Sequence, residues 1–321
     1  MRAAQVVDLT GPHDVVVRDV EQPVAGPDEV LVRVRRVGVS FPDLLMSRGE
    51  YQVRPELPFT LGVDVAGEVV SGPGFEVGQR VAGVVGNGGA GEFVAVPQSW
   101  TFALPDEVSL DQGAALPMNY LTAEFALYER AGLRAGETVL VHGAAGGLGT
   151  ATIQVARGMG ATVIAVTSTE AKADVARRAG ADHAVLIDGF KDAALELTDG
   201  RGVDVVADIV GGDVFTDSLR SLATGGRLIV LGFAAGQGIP QVKVNRLLLN
   251  NIDVRGAGWG AYAMVRPGYM HEQWERLVPM MRAGDVAPPV STGYGLADFG
   301  RALVDLDERR ALGKIVVDVD S

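Results

Sequence analysis

The chain has 321 residues, of which 47% are hydrophobic, and it contains no cysteine. This length suggests about two domains, and the lack of cysteine excludes disulfides, Cys-ligated zinc and a thiol nucleophile. The formal charge of −12 argues against nucleic acid as a partner, because an acidic chain repels a phosphate backbone. No apolar run has the length of a transmembrane helix, and the start lacks the apolar run of a signal peptide. We therefore expect a soluble, cytoplasmic protein with no membrane partner.

The region before residue 117 is rich in short strands. Runs of β-branched residues between Gly, Pro and Asp predict strands at 15–17, 30–34, 65–70, 79–85 and 92–97. Short strands with Gly and Pro recurring between them favour a partly closed barrel.

From Pro117 onwards, apolar strands alternate with helices. Strands are predicted at 138–142, 162–166, 184–187, 203–208, 227–231 and 252–257, with helical patterns such as 147–159 and 170–179. This alternation predicts an α/β fold with a doubly wound parallel sheet. The last segment carries helices at about 269–283 and 297–308 and a strand at 314–319. We expect it to return to the first domain.

The strongest functional signal is a glycine-rich turn between a strand and a helix. The strand at 138–142 leads into Gly143-Ala144-Ala145-Gly146-Gly147-Leu148-Gly149, where backbone N–H groups at the helix N-terminus would face a diphosphate. Gly146 would allow the phosphates to approach, and Gly149 would allow tight packing of helix on strand. Ala144 stands where the usual G-x-G-x-x-G pattern has its first glycine. An ordinary strand-to-helix turn is the alternative, and the alternating context favours a dinucleotide site. Its predicted contacts are Ala144, Ala145, Gly146, Gly147 and Leu148.

The end of the next strand predicts which dinucleotide binds. NAD sites usually carry an acidic residue there for the ribose 2′-hydroxyl, whereas this chain has Ser168 and Thr169 followed by Lys172. Two hydroxyls and a cation suit a 2′-phosphate. Glu170 weakens the argument slightly, and Lys172 could instead be a solvated helix residue. The sequence favours NADPH over NADH.

Several motifs, in order and spacing, resemble those of zinc-independent quinone oxidoreductases of the medium-chain dehydrogenase/reductase superfamily. The resemblance covers essentially the whole chain. Besides the glycine turn, the motifs are Val39–Leu44, Arg48–Tyr51, Pro58–Val69, Asp208–Gly212, Gly225–Phe233, Gly258–Gly260 and Gly313–Val317. Zinc-dependent relatives would carry a catalytic Cys near Val39 or Ser40 and a His at Val63, and they also have a cysteine-rich lobe. None of these is present, so the resemblance implies that no metal is bound.

The resemblance implies a GroES-like, partly open β-barrel catalytic domain at residues 1–116, completed by 264–321. It implies a Rossmann domain that binds NADPH at 117–263. It also implies a cleft in which further residues lie near the cofactor, with Asp43 beside the nicotinamide end as a candidate catalytic residue. These cofactor contacts are Phe41, Asn119, Thr122, Gly211, Phe233, Ala234, Trp259 and Arg309. For Arg309, a plain surface charge is nearly as good a reading.

The chemistry without a metal favours an activated acceptor. Quinones and enones spread the negative charge left by hydride addition, so hydrogen-bond donors suffice where a plain ketone would need a Lewis acid. Tyr51 is the candidate proton donor, at the position where related enoyl reductases place a tyrosine, although it could simply pack the pocket wall. We expect a quinone reductase, with an enone or enoyl-thioester reductase as the alternative. A non-catalytic nucleotide-binding protein is a third reading. Relatives pair edge strands of the nucleotide domain, so a homodimer is expected, with 252–255 as a candidate edge.

Overall fold

The structure is a computed structural model that describes all residues from Met1 to Ser321. Contacts within the chain divide it into two compact units. The first unit contains residues 1–119, 267–275 and 288–321, and the second contains residues 120–266 and 276–287. None of the helices combines the length and the apolar character needed to cross a bilayer.

The strands are numbered in chain order. They are β1 Arg2–Val6, β2 Val16–Asp19, β3 Glu29–Gly38, β4 Phe59–Thr60, β5 Asp64–Ser71, β6 Arg80–Val84, β7 Phe93–Pro97, β8 Thr101–Ala103, β9 Thr138–Val141, β10 Thr162–Thr167, β11 His183–Leu186, β12 Val203–Asp208, β13 Leu222–Val230, β14 Asp253–Gly256, β15 Val290–Gly295 and β16 Lys314–Asp318.

The helices are numbered in the same way. They are α1 Phe41–Ser47, α2 Leu110–Gly113, α3 Pro117–Glu124, α4 Gly147–Gly158, α5 Glu170–Arg178, α6 Phe190–Glu196, α7 Val214–Arg220, α8 Asn245–Asn250, α9 Trp259–Ala263, α10 Tyr269–Ala283 and α11 Phe299–Asp307. The segment Phe125–Ala131 continues α3 as a π-helix.

The first unit is built on a seven-stranded sheet. Its order is β15-β16-β3-β5-β6-β8, with β7 paired to β3, and a three-stranded sheet β2-β1-β4 stands beside it. In β3, Val30, Val32 and Val34 are at most 1% exposed, because alternate side chains of a strand point to the same face. Strand β16 pairs antiparallel with β3, so the last strand of the chain lies in the first unit.

The second unit contains a six-stranded sheet in the order β11-β10-β9-β12-β13-β14. Every neighbouring pair is parallel, which confirms the predicted doubly wound sheet. Strand β9 lies at the centre, and Val139, Leu140 and Val141 have no exposed surface. The carboxyl ends of β9, β10, β12 and β13 therefore lie at the same edge of the sheet, and ligands of such sheets bind at this edge.

Candidate active site and nucleotide site

The glycine turn has the geometry of a diphosphate cradle. A Cβ atom on Gly149 would lie 2.2 Å from the carbonyl oxygen of Gly143, so tight packing of helix on turn requires this glycine. At Gly146 the same atom would lie 3.5 Å from that oxygen, with no other protein atom within 4 Å. Packing inside the protein therefore does not explain Gly146, because a Cβ there would extend into open space.

Helix α4 begins directly at this turn. It runs for 12 residues from Gly147, and its N-cap, Gly146, offers no side chain to cap it. The first N–H groups of a helix have no partner inside the helix, and the helix dipole makes this end attractive to an anion. Ala144 and Ala145 are buried, and the N–H of Ala144 donates to Val166 at 3.4 Å. The backbone of Ala144 thus ties the turn to strand β10.

The end of β10 presents the residues predicted to contact a 2′-phosphate. Ser168 and Thr169 are exposed and Lys172 is half-buried. The hydroxyl of Thr169 caps α5 by accepting the N–H of Lys172 at 3.3 Å. Glu170, the residue that weakened the sequence argument, forms an ion pair at 2.8 Å with Arg177. This pairing offsets the negative charge that would repel a phosphate.

The ends of β12 and β13 bring together three of the predicted cofactor contacts. A Cβ on Gly211 would lie 3.1 Å from the ring of Phe233, so the two residues are in close contact. The N–H of Ala234 donates to Ile209 at 3.1 Å, which ties the loop after β13 to the loop after β12. Phe233 is 44% exposed and is available to a ligand. Trp259, at the start of α9, is buried.

Asp208 ends β12 and was predicted only as part of a family motif. Its side chain is 1% exposed. Oδ1 accepts the N–H groups of Val210 at 3.0 Å and Gly211 at 2.8 Å, and Oδ2 has no hydrogen-bond partner. Burial raises the pKa of Asp208 above its ordinary value, against the effect of the two N–H bonds. Its role in holding the loop after β12 could not be predicted from the motif alone.

His142, the residue after β9, has a structural environment. Its Nε2 lies 2.7 Å from the hydroxyl of Ser218, and its ring packs edge-on against Phe190. Burial lowers the pKa of His142 to about 3, so the imidazole is neutral at physiological pH. It is not a general acid or base at pH 7.

Helix α1 in the first unit carries Phe41 and Asp43, two of the predicted site residues. Phe41 is 45% exposed, whereas Asp43 is fully buried. The carboxylate of Asp43 accepts the N–H of Ser40 at 3.0 Å on one oxygen and the N–H of Gly62 at 2.8 Å on the other. Burial raises the pKa of Asp43 to about 7, although these N–H bonds and the charge of Lys314 oppose the shift.

Tyr51 follows α1 in the chain and is half-buried against the core of the first unit. Burial, and then the negative charge of Asp43, raises the pKa of its phenol above 10. A phenol, whose ordinary pKa is about 10, is protonated at neutral pH with or without this shift, as a proton donor must be.

A buried ionic network underlies this region, and sequence reasoning missed it. The Lys314 ammonium lies 2.6 Å from Asp64 Oδ2 and 2.5 Å from Ser40 Oγ. The Ser40 hydroxyl donates to the same Asp64 oxygen at 2.9 Å, and Asp64 Oδ1 accepts the N–H of Met118 at 2.8 Å. These residues are far apart in the sequence. The only signal in the sequence is that Asp64 and Lys314 each stand next to apolar residues that are typical of a buried strand.

The other predicted contacts lie on separate elements. Asn119 and Thr122 are half-buried on α3, in the first and second units respectively. Arg309 is exposed just beyond α11, in a left-handed conformation with a φ of 59°. Its backbone N–H donates to Leu306.

The positions where zinc-dependent relatives carry ligands hold other side chains. Val63 is 2% exposed and packs in the core of the first unit, and Ser40 is engaged with Lys314 and Asp64. Nowhere in the chain do three or more His, Cys, Asp or Glu side chains cluster so that they could hold a metal ion.

Comparisons with known proteins agree with this geometry. Residues 26–106 match the family described as alcohol dehydrogenase GroES-like domain, and residues 147–282 match that described as zinc-binding dehydrogenase. Quinone oxidoreductase-like protein 2 of Bos taurus is 36% identical over 324 residues, covering 98% of this chain and 92% of its own.

Solved structures give the same result. A probable oxidoreductase from Mycobacterium abscessus is 40% identical, with a TM-score of 0.91 and 99% of both chains covered. The quinone oxidoreductase of Thermus thermophilus, solved also in complex with NADPH, is 36% identical with a TM-score of 0.85, covering 99% of this chain and 100% of that chain. The chain therefore belongs to the zinc-independent quinone oxidoreductase family of the medium-chain dehydrogenase/reductase superfamily.

Proposed function

We propose that this protein transfers hydride from NADPH to a quinone or another activated carbonyl acceptor. The observation that carries the proposal is the glycine turn, where the position of Gly146 leaves open space at an uncapped helix N-terminus. Family membership supports it, since the related Thermus thermophilus quinone oxidoreductase was solved in complex with NADPH.

The preference for NADPH rests on the start of α5. Ser168 and Thr169 supply exposed hydroxyls, and Lys172 supplies a cation within one helical turn. Charge-assisted hydrogen bonds from such groups suit a phosphate. Glu170 directly follows Thr169 in the sequence, and its ion pair with Arg177 reduces the repulsion that its negative charge would exert on a bound phosphate.

The acceptor must tolerate negative charge after it receives hydride. NADPH, when bound, supplies the hydride, and the chain's own residues must then stabilise an oxyanion and deliver a proton. Quinones and enones delocalise the charge, so hydrogen-bond donors of modest strength are sufficient. We assign proton delivery to the phenol of Tyr51, which carries its proton at pH 7.

Asp43 acts in this proposal by fixing the backbone. Both of its oxygens accept backbone N–H groups and it has no exposed surface. We therefore assign it to positioning the start of α1, and with it Phe41. Its carboxyl has no exposed surface, so direct contact with a substrate would require the residues around it to move.

An enone or enoyl-thioester reductase is the second candidate, and Tyr51 favours it, because it stands at the position where related enoyl reductases place a tyrosine. Steady-state NADPH oxidation with 1,4-benzoquinone, phenanthrenequinone, a 2-enal and crotonyl-CoA separates the two. Fastest turnover with the quinones supports the first candidate, and fastest turnover with the enal or thioester supports the second. Tight NADPH binding without turnover on any acceptor would instead indicate a non-catalytic protein.

We also propose that the protein is a homodimer. Strand β14 lies at the edge of its sheet, and the neighbouring helix α8 exposes Leu248 and Leu249 by 76% and 72%. Arg130 occupies one carbonyl of this strand, that of Gly256, and an edge strand beside exposed apolar side chains is a surface on which a second copy can pair. A monomer seen by light scattering at micromolar concentration would refute this. The cytoplasmic location stays a prediction, which cell fractionation would test.

A further inference from the structure

Three ionisable side chains lie in the interior of the first unit. Asp43 and Asp64 have no exposed surface, and Lys314 is 4% exposed. Buried charges of this kind add little net stability compared with apolar residues, because their desolvation cost is large. Their presence calls for another explanation, and conformational specificity is one that the geometry supports here.

The network joins four segments that are distant in the sequence. Lys314 begins β16, Ser40 precedes α1, Asp64 begins β5 and Met118 lies at the start of α3. The ammonium reaches Ser40 and Asp64 together, and Asp64 passes the constraint to the backbone of Met118.

The path of the lysine is built into the sheet. A Cβ on Gly38 would lie 2.8 Å from Cε of Lys314 and 2.0 Å from the carbonyl oxygen of Ala114. Only a glycine at position 38 leaves room for the lysine stem beside this backbone. The buried ammonium is thus accommodated by the surrounding main chain.

The two segments that the network fixes carry candidate cofactor contacts. Ser40 directly precedes Phe41, and Met118 directly precedes Asn119. We propose that Lys314 is a positioning residue, which holds Phe41 and Asn119 in place through Ser40 and Asp64. This inference rests on the proposed function, in which both residues contact the cofactor.

The test compares two variants with the wild-type protein. Lys314→Met removes the ammonium at similar length and leaves Asp64 unpaired. The double variant Lys314→Met/Asp64→Asn removes both charges and keeps an oxygen that can accept the N–H of Met118. The double variant separates positioning from the damage done by an unpaired buried charge, because its melting temperature should recover most of the loss seen in the single variant.

We expect the double variant to remain impaired although it is folded. Its NADPH affinity, measured by fluorescence titration, should be about tenfold weaker, the equivalent of one lost hydrogen bond. Its kcat should be about tenfold lower, because small displacements of binding groups are costly. Hydrogen exchange of the backbone amides of Ser40, Phe41 and Asp43 should be at least about tenfold faster without any ligand. Wild-type affinity, kcat and exchange in a stable double variant would overturn the proposal.

The exchange measurement keeps the two proposals separable. If the wild-type protein neither binds NADPH nor reduces any acceptor, the proposed function fails. The exchange of the Ser40, Phe41 and Asp43 amides in the ligand-free variants still reports whether Lys314 fixes this segment. Unchanged exchange would sink the positioning role whatever the activity of the wild-type protein.

Discussion

The buried carboxyl group of Asp43 should make the free energy of unfolding fall as the pH rises from about 4 to about 7. Its pKa is raised from 3.8 to about 7, so the folded protein favours the protonated form. A group with a raised pKa contributes stability at low pH, and that contribution is lost as the pH rises through the folded value. Asp43→Asn removes the titratable group. It also lowers the free energy of unfolding by an amount that does not depend on pH, because the new amide nitrogen faces a backbone N–H.

The magnitude follows from the shift. One pKa unit corresponds to about 1.36 kcal/mol, so the full difference between low and high pH is about 4 kcal/mol. Between about pH 5 and pH 8.5, the part of this difference that is accessible without acid unfolding is about 3 kcal/mol. Asp43 is fully buried, so solvent screening does not reduce this figure.

Urea unfolding of both proteins across that pH range gives the measurement. The free energy of unfolding of the wild-type protein, relative to Asp43→Asn, should fall by about 3 kcal/mol. His142 contributes with the opposite sign, since its lowered pKa costs stability as the pH falls, but it is common to both proteins and cancels. The control Asp106→Asn, at a fully exposed side chain, should keep the wild-type dependence of the unfolding free energy on pH. A constant difference between wild type and Asp43→Asn would refute the reasoning.

The other predictions concern the cofactor and the proton donor. Lys172→Ala should weaken NADPH binding by about 1–3 kcal/mol, the size of a charge-assisted hydrogen bond, and equal loss for NADH in fluorescence titrations would remove this lysine from the site. Tyr51→Phe should lower enone turnover at least about tenfold, and an unchanged kcat would reject the proton-donor role. Gly146→Ala should weaken NADPH binding with little change in the melting temperature, because the only protein atom near the added Cβ is the carbonyl oxygen of Gly143 at 3.5 Å, an ordinary contact. Gly149→Ala should instead destabilise the fold by about 1–3 kcal/mol through its clash with the turn, and the reverse pattern in calorimetry and titration would contradict the assignment of these two glycines.

Local sequence patterns determined the elements and the nucleotide turn. Strand β12 and helix α10 have the predicted bounds, and the parallel sheet follows from the alternation of strands and helices. Hydrophobic periodicity and glycine spacing are short-range properties that neighbouring residues carry together. The turn at 143–149 and the family motifs were therefore readable directly from the chain.

Only the tertiary structure decided the states of the charged groups. The family resemblance made Asp43 a candidate catalytic residue, and folding places both its carboxyl oxygens on backbone N–H groups. Lys314 and Asp64 are 250 residues apart, and Glu170 is paired by an arginine two turns along its helix. Burial and charge pairing depend on segments that meet only in the folded chain, and these set the pKa of a group and its role.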